Sequence, residues 1–219
     1  MNPAWQATIF DLDGLMVDTE SLGTASLSAA ARSLGVALAP QWLDDLVGLS
    51  TTRTLAYLCE HLPEKTARAV YETSRSGYRR QLEEAEIPLR PGILPLLNWL
   101  ADRTLPRAVA TSTQRVLADL KLQRTGLDRY FPVSVAGDEV PATKPAPDLY
   151  LKAAACLGVP PVHCIALEDS PVGAEAALAA GMRVIIVPDM VQPSPSLARQ
   201  ALAVCPSLHE AYEVLRGLR

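Results

Sequence analysis

From residue 106 onward, short β-like runs alternate with helical patterns, and no other feature of the 219-residue chain narrows its fold as far. The runs fall at 106–110, 133–136, 163–167 and 183–187, and the helical patterns between them at 115–124, 147–157 and 171–180, the last stopped by Gly181. Strands separated by helices are joined by crossovers rather than hairpins. The pattern therefore predicts an α/β fold with a Rossmann-like parallel sheet. A further run at 8–10 supplies a strand from the far end of the chain, so the sheet takes strands from both sides of a long interruption.

That interruption, about 20–89, holds no convincing strand and reads as helices at 21–34, 41–47, 52–61 and 64–84, the first two stopped by Gly35 and Gly48. The economical reading is a helical insertion. Residues 188–195, rich in Pro, read as a plain loop.

The run at 8–10 leads directly into Asp11-Leu12-Asp13-Gly14, which sets two carboxylates at the mouth of a buried strand. Charge is costly there. A cation site, a proton-transfer pair, or a nucleophile with its acid/base partner would each account for it, and so would a turn or helix cap, since an acid beside Gly often only turns the chain. Three later segments repeat the theme. Thr111-Ser112-Thr113 follows an apolar run, Lys144 sits in a Pro-punctuated loop, and Glu168-Asp169-Ser170-Pro171 follows another apolar run.

In open parallel sheets, ligands bind beyond the carboxyl ends of the strands, so Asp11, Asp13, Thr111 and the Glu168-Asp169 pair are expected at one edge. Two unit charges about 4 Å apart repel by roughly 4 kcal/mol at an effective dielectric of about 20, so four acids together need a cation or a shared proton. Hard oxygen donors without convergent His or Cys favour Mg²⁺ over zinc.

Roughly half the residues are apolar, a fifth are charged and the net charge is −4, a composition that excludes a disordered chain and a basic nucleic-acid surface. No apolar run approaches membrane-spanning length and the first residues lack a signal-like pattern, so a cytoplasmic protein without membrane contact is expected. Cys59, Cys156, Cys164 and Cys205 show no C-x-x-C spacing and read as buried free thiols.

In order and spacing, these motifs, with Gly137–Glu139 and Val140 ahead of Lys144-Pro145-Ala146-Pro147-Asp148-Leu149-Tyr150, closely resemble the haloacid dehalogenase-like hydrolases. The nearest branch is the one of small phosphatases that also holds the β-phosphoglucomutases. The resemblance implies that Asp11 is the nucleophile that becomes an aspartyl-phosphate and that Asp13 is the acid/base. It also implies that Thr111, Ser112 and Lys144 hold the phosphate, and that Asp11, Asp13 (through its carbonyl), Glu168 and Asp169 hold Mg²⁺. Glu168 is either a direct ligand or the group that orients a metal-bound water. Taken alone, Thr111 is equally an N-cap, Glu168-Asp169 a helix cap, and Lys144 a solvated loop residue.

By the same resemblance, the inserted helices form a helical-bundle cap domain at 19–89, joined to a core made of 1–18 and 90–219 through hinges near 17–20 and 88–92; this cap selects a small phosphorylated metabolite, with Gly48, Arg53 and Arg75 as candidate contacts and a solvated face as the alternative for both arginines. A monomer is expected. A β-phosphoglucomutase-like mutase is the competing reading, weakened because no His follows the Asp18-Thr19 hinge and the loop Arg is displaced to Arg53. The presence of Asp13 disfavours dehalogenase and phosphonatase chemistry. A non-enzymatic binding module is expected to lose one of Asp11, Asp13, Lys144 or Asp169, and all four remain.

Overall fold

β1 (Ala7–Phe10) runs through the middle of a parallel six-stranded sheet completed by β2 (Arg107–Ala110), β3 (Val133–Val135), β4 (Cys164–Glu168), β5 (Arg183–Ile186) and β6 (Ala203–Val204), in the order β3-β2-β1-β4-β5-β6. This computed structural model describes residues 5–46 and 51–218, without the side chains of Glu20, Asp44, Thr51, Thr52 and Arg53. Phe10 lies opposite Val109 on one side and Leu167 on the other, so β1, β2 and β4 end nearly level. The chain moves outward from β1 in both directions, which opens a crevice beyond the carboxyl ends of these strands. All of β1 and β4 is buried, as expected for strands covered on both faces.

The chain divides into two compact units, Met1–Val17 with Pro88–Arg219 and Asp18–Ile87. The second is helical throughout its described elements: α1 (Glu20–Ser33), α2 (Pro40–Leu46), α3 (Thr51–His61) and α4 (Glu64–Glu84). α1 and α3 each pack on α4. Leu27 and Ala31, spaced by four, and Ala67 and Val70, spaced by three, each form an apolar stripe that meets Leu46 and Leu58 in one cluster. Ser26 Oγ donates to Gln81 Oε1 at 3.2 Å, which ties α1 to α4 beyond that cluster.

In the first unit, α5 (Ile93–Asp102), α6 (Arg115–Thr125), α7 (Asp148–Leu157), α8 (Pro171–Ala179), α9 (Pro195–Gln200) and α10 (Leu208–Gly217) accompany the strands. Ala153, Ala154, Ala174 and Ala177 of α7 and α8 are buried in the cluster that includes Ile9, Ala166 and Val184 of the sheet, and such small side chains let helix and sheet approach closely. Val17 and Leu89 form an antiparallel bridge, and Arg90 N–H donates to Met16 C=O at 2.9 Å, so the chain leaves and re-enters this unit at adjacent points.

Each expected strand and helix recurs within about two residues, the usual uncertainty of element ends. α5, β6 and α10 lie outside the expected pattern. Pro95 makes the α5 segment look interrupted, but it falls in the first helical turn, where an amide hydrogen has no partner to lose. The loop expected at 188–195 gives way to α9 at Pro195, capped by Ser194, whose Oγ accepts from Leu197 N–H at 3.2 Å. The four cysteines are free, with Cys164 and Cys205 buried. Cys59 is only partly buried and Cys156 is exposed, because Cys156 falls off the buried stripe of α7 at Ala153 and Ala154. Among the described residues, no helix is long and apolar enough to cross a membrane.

Candidate active site

Asp11 is the first residue beyond β1, and its N–H still donates to Leu167 C=O at 3.1 Å, so the sheet fixes its backbone. The chain then turns at once, with Met16 and Val17 N–H returning to Leu12 C=O and Gly14 N–H reaching Val17 C=O at 2.9 Å. Gly14 has φ +80°, and a Cβ on it would fall on the Asp169 carboxylate. Only glycine permits both that backbone and the approach of this loop to Asp169.

β4 delivers Glu168 and Asp169 to the same edge. One carboxylate oxygen from each of Asp11, Glu168 and Asp169 lies within 4.8 Å of the others. Lys144, from the loop before α7, contacts Asp11 Oδ1 and lies 2.6 Å from Glu168 Oε1. Its side chain is 7% exposed, so it is not a solvated loop lysine. Tyr150 Oη also donates to Glu168 Oε1, and Ser170 Oγ donates to Oε2 at 3.2 Å.

The cap of α8 is Ser170, whose Oγ accepts from Gly173 N–H at 3.1 Å. Neither Glu168 nor Asp169 serves as that cap. Gly173 is the second close glycine: a Cβ there would overlap the Glu168 carboxylate.

These groups perturb one another. Burial pushes the Asp11 carboxyl up to about 7; Lys144 opposes this, while Glu168 and Asp13 add to it. Asp169 is also held well above the carboxylate range, first by desolvation and then by the charges of Asp11 and Glu168. Burial disfavours the Lys144 ammonium, but the charges of Asp11 and Glu168 outweigh it and raise Lys144 above the ordinary lysine range.

Three carboxylates face one ammonium at this point. A divalent cation would neutralise the excess, and the donors are all hard oxygens, so the residues present fit Mg²⁺. Asp11 and Asp169 are the carboxylates best able to hold it, because both Glu168 oxygens already accept hydrogen bonds.

Asp13 stands apart from that triad. Lys121 Nζ is 2.5 Å from its Oδ1, and Thr113 Oγ1 donates to its Oδ2 at 2.6 Å. Thr111 is buried beyond β2, but it is not at a helix start: Gln114 precedes α6, and Thr111 Oγ1 accepts from Thr113 N–H at 3.1 Å within the connecting turn. Ser112 is exposed beside it.

Gly48 lies outside the described residues, as does the Arg53 side chain. Arg75 is exposed on α4, with its guanidinium 5.8 Å from the centre of the Tyr71 ring.

The sequence reading misses Lys121, Thr113, Tyr150 and Ser170. For Lys121 a signal exists: it occupies the stripe of α6 that buries Ala118 and Leu122, an apolar position by spacing.

Comparison with known proteins identifies the family. Residues 8–187 match the model of the family described as haloacid dehalogenase-like hydrolase. The chain is 35% identical over 208 residues to the "Probable pseudouridine-5'-phosphatase" of Drosophila melanogaster, spanning 89% of this chain and 87% of that protein. It is 32% identical over 182 residues to the phosphorylated carbohydrates phosphatase of Thermotoga maritima, spanning 81% and 82% respectively. The crystal structure of CbbY from Rhodobacter sphaeroides in complex with phosphate aligns with a TM-score of 0.79 at 29% identity, over 94% of this chain and 96% of that one. With a matching family sequence, a matching fold and these side chains at the carboxyl edge of the sheet, the chain belongs to the haloacid dehalogenase-like hydrolases.

Proposed function

We propose that this protein is a phosphatase that hydrolyses a small phosphorylated metabolite through a phosphoryl group carried briefly on Asp11. The observation that carries the reading is the pairing of buried Asp11 with Lys144 beside Glu168 and Asp169, while Asp13 is held by a separate cation. One carboxylate is thus set among phosphate-compatible charges and another is kept for the proton. The relatives named as phosphatases support the phosphatase activity in this reading.

In the first step, an Asp11 oxygen attacks phosphorus as the bond to the ester oxygen breaks, and Asp13 delivers a proton to that oxygen. In the second, water attacks phosphorus, Asp13 takes its proton, and inorganic phosphate leaves with the Asp11 carboxylate restored. The proton account closes over the two steps. Lys144 offsets the charge that collects as a phosphate dianion approaches Asp11, with Thr111 and Ser112 as further phosphate contacts.

Asp11 and Asp169, with the Asp13 carbonyl, would hold Mg²⁺, and Glu168 would keep Lys144 in place. When bound, the ion supplies positive charge that lets a nucleophilic carboxylate and a phosphate coexist. Substrate choice is assigned to the helical unit of residues 18–87, the cap by resemblance, where Gly48, Arg53 and Arg75 are the candidates.

The test is phosphate release from a panel of sugar phosphates, phosphoglycolate and nucleoside monophosphates. Turnover of at least one ester with Mg²⁺, lost in EDTA and restored by Mg²⁺, is expected. No turnover across the panel would contradict the reading, and undiminished turnover in metal-free protein would contradict the role given to the ion.

A further inference from the structure

Asp13 is gripped at both carboxylate oxygens by groups from another part of the chain. Lys121 Nζ holds Oδ1 at 2.5 Å, Thr113 Oγ1 holds Oδ2 at 2.6 Å, and Lys121 lies 3.3 Å from that same hydroxyl. The Lys121 side chain is 3% exposed and that of Asp13 is 21% exposed. Lys121 therefore reaches a partly open site from inside the core face of α6, between Ala118 and Leu122.

An apolar side chain would fill that position at less desolvation cost, and replacing a buried ion pair by well-packed apolar groups is often neutral or stabilising. Stability alone therefore gives a weak reason for a lysine here. Geometry gives a stronger one. A carboxylate turns about two side-chain torsions, and a single donor leaves its plane free to swing. Two donors on different oxygens fix both the direction and the plane.

We infer that Lys121 is a positioning residue that, with Thr113, aims the Asp13 carboxylate at the oxygen it must protonate and at the water it must deprotonate. This rests on the reading of Asp13 as the proton-transfer group. Lys121 acts through the Asp13 carboxylate that it holds.

The experiment compares kcat/KM for an alkyl phosphate and for p-nitrophenyl phosphate in wild type, Lys121→Met, Thr113→Val and Asp13→Asn, and crystal structures of wild type and Lys121→Met. An alkoxide leaving group needs the proton as its bond breaks, whereas p-nitrophenolate does not. Lys121→Met should depress the alkyl ester at least about tenfold more than the aryl ester, because proton delivery is worth about 10²–10⁴-fold. Inhibition by inorganic phosphate should stay unchanged, and in the Asp13→Asn background the same substitution should add no further selectivity. The crystal structure should show the Asp13 carboxylate turned or split between orientations.

Equal losses on the two esters, no loss on either, or added selectivity in the Asp13→Asn background would overturn the inference while leaving the phosphatase reading intact. A wild type inert to both esters would overturn the phosphatase reading; the crystal comparison then decides the positioning separately, and an unmoved Asp13 contradicts it. If Lys121→Met does not fold, Thr113→Val carries both comparisons with the same expected selectivity and the same contradicting results.

Discussion

Lys144 lies against Asp11 although 133 residues separate them, and both side chains are almost fully removed from solvent. The contact ties the loop before α7 to the end of β1. It also places a lysine beside the triad, on the group proposed to attack phosphorus.

Replacing Lys144 by Met should therefore do more than remove a phosphate contact. Asp11 and Glu168 would be left buried without their cation, a loss of about 3–5 kcal/mol when one partner of a buried pair is removed. Turnover should fall by about 10²–10³-fold or more, as for removal of one donor to developing charge. Added Mg²⁺ should recover part of the stability and little of the rate. Melting curves with and without Mg²⁺, beside steady-state rates, check this; a variant with near-wild-type kcat would contradict the role of Lys144.

Metal binding should depend on pH in a definite direction. The Asp11 carboxyl is raised from 3.8 to about 7 and Asp169 is raised as well, so in the metal-free protein the folded state holds more protons than the unfolded state across that window. Metal-free stability from these groups therefore declines as pH rises from about 4 to about 7. Mg²⁺ needs the ionised forms, so its stabilising effect should grow over the same window and its binding should release protons.

The measurement is the Mg²⁺-induced rise in Tm at about pH 5.5 and about pH 8, where each kcal/mol moves Tm by about 2–4 °C for a chain of this size. The larger rise is expected at the higher pH, and Asp169→Asn should abolish most of it. A rise that is larger at about pH 5.5 would contradict the assignment of these carboxylates to the metal.

Whether water or a second substrate oxygen receives the phosphoryl group separates phosphatase from mutase. Given β-glucose 1-phosphate and a trace of the 1,6-bisphosphate, the protein should release inorganic phosphate, with no stimulation by the bisphosphate. Glucose 6-phosphate formed much faster than free phosphate would establish the mutase instead. The same result would show that the missing hinge His and the displaced Arg53 are poor guides to the branch.

The parts of this structure legible in the sequence share a physical cause. Strands of a parallel sheet are apolar on both faces, so 164–167 and 184–187 stand out as continuous runs, and acids placed directly after such runs, at Asp11 and Glu168-Asp169, are conspicuous. What escaped depends on packing across distance. The spacing of Lys121 marks it only as a cation at an apolar position of α6, and its partner Asp13 comes from 108 residues away. Tyr150 reads as one more apolar residue of α7 until Glu168 meets its hydroxyl, and the Arg90–Asp189 ion pair at 2.7 Å has no local signature at all. A hydroxyl directly after a strand, as at Thr111, resembles an N-cap, whereas the turn at 112–114 delays the helix to Arg115.

The most direct test is to find the phosphoryl group on the protein. Wild-type protein quenched during turnover of a substrate found in the panel, then digested and analysed by mass spectrometry after reductive trapping of acyl phosphates, should carry the label on Asp11. Asp11→Asn should carry none and should have lost turnover while keeping its fold, since an amide is a poor nucleophile. A label on any other residue, or appreciable turnover by folded Asp11→Asn, would contradict the mechanism.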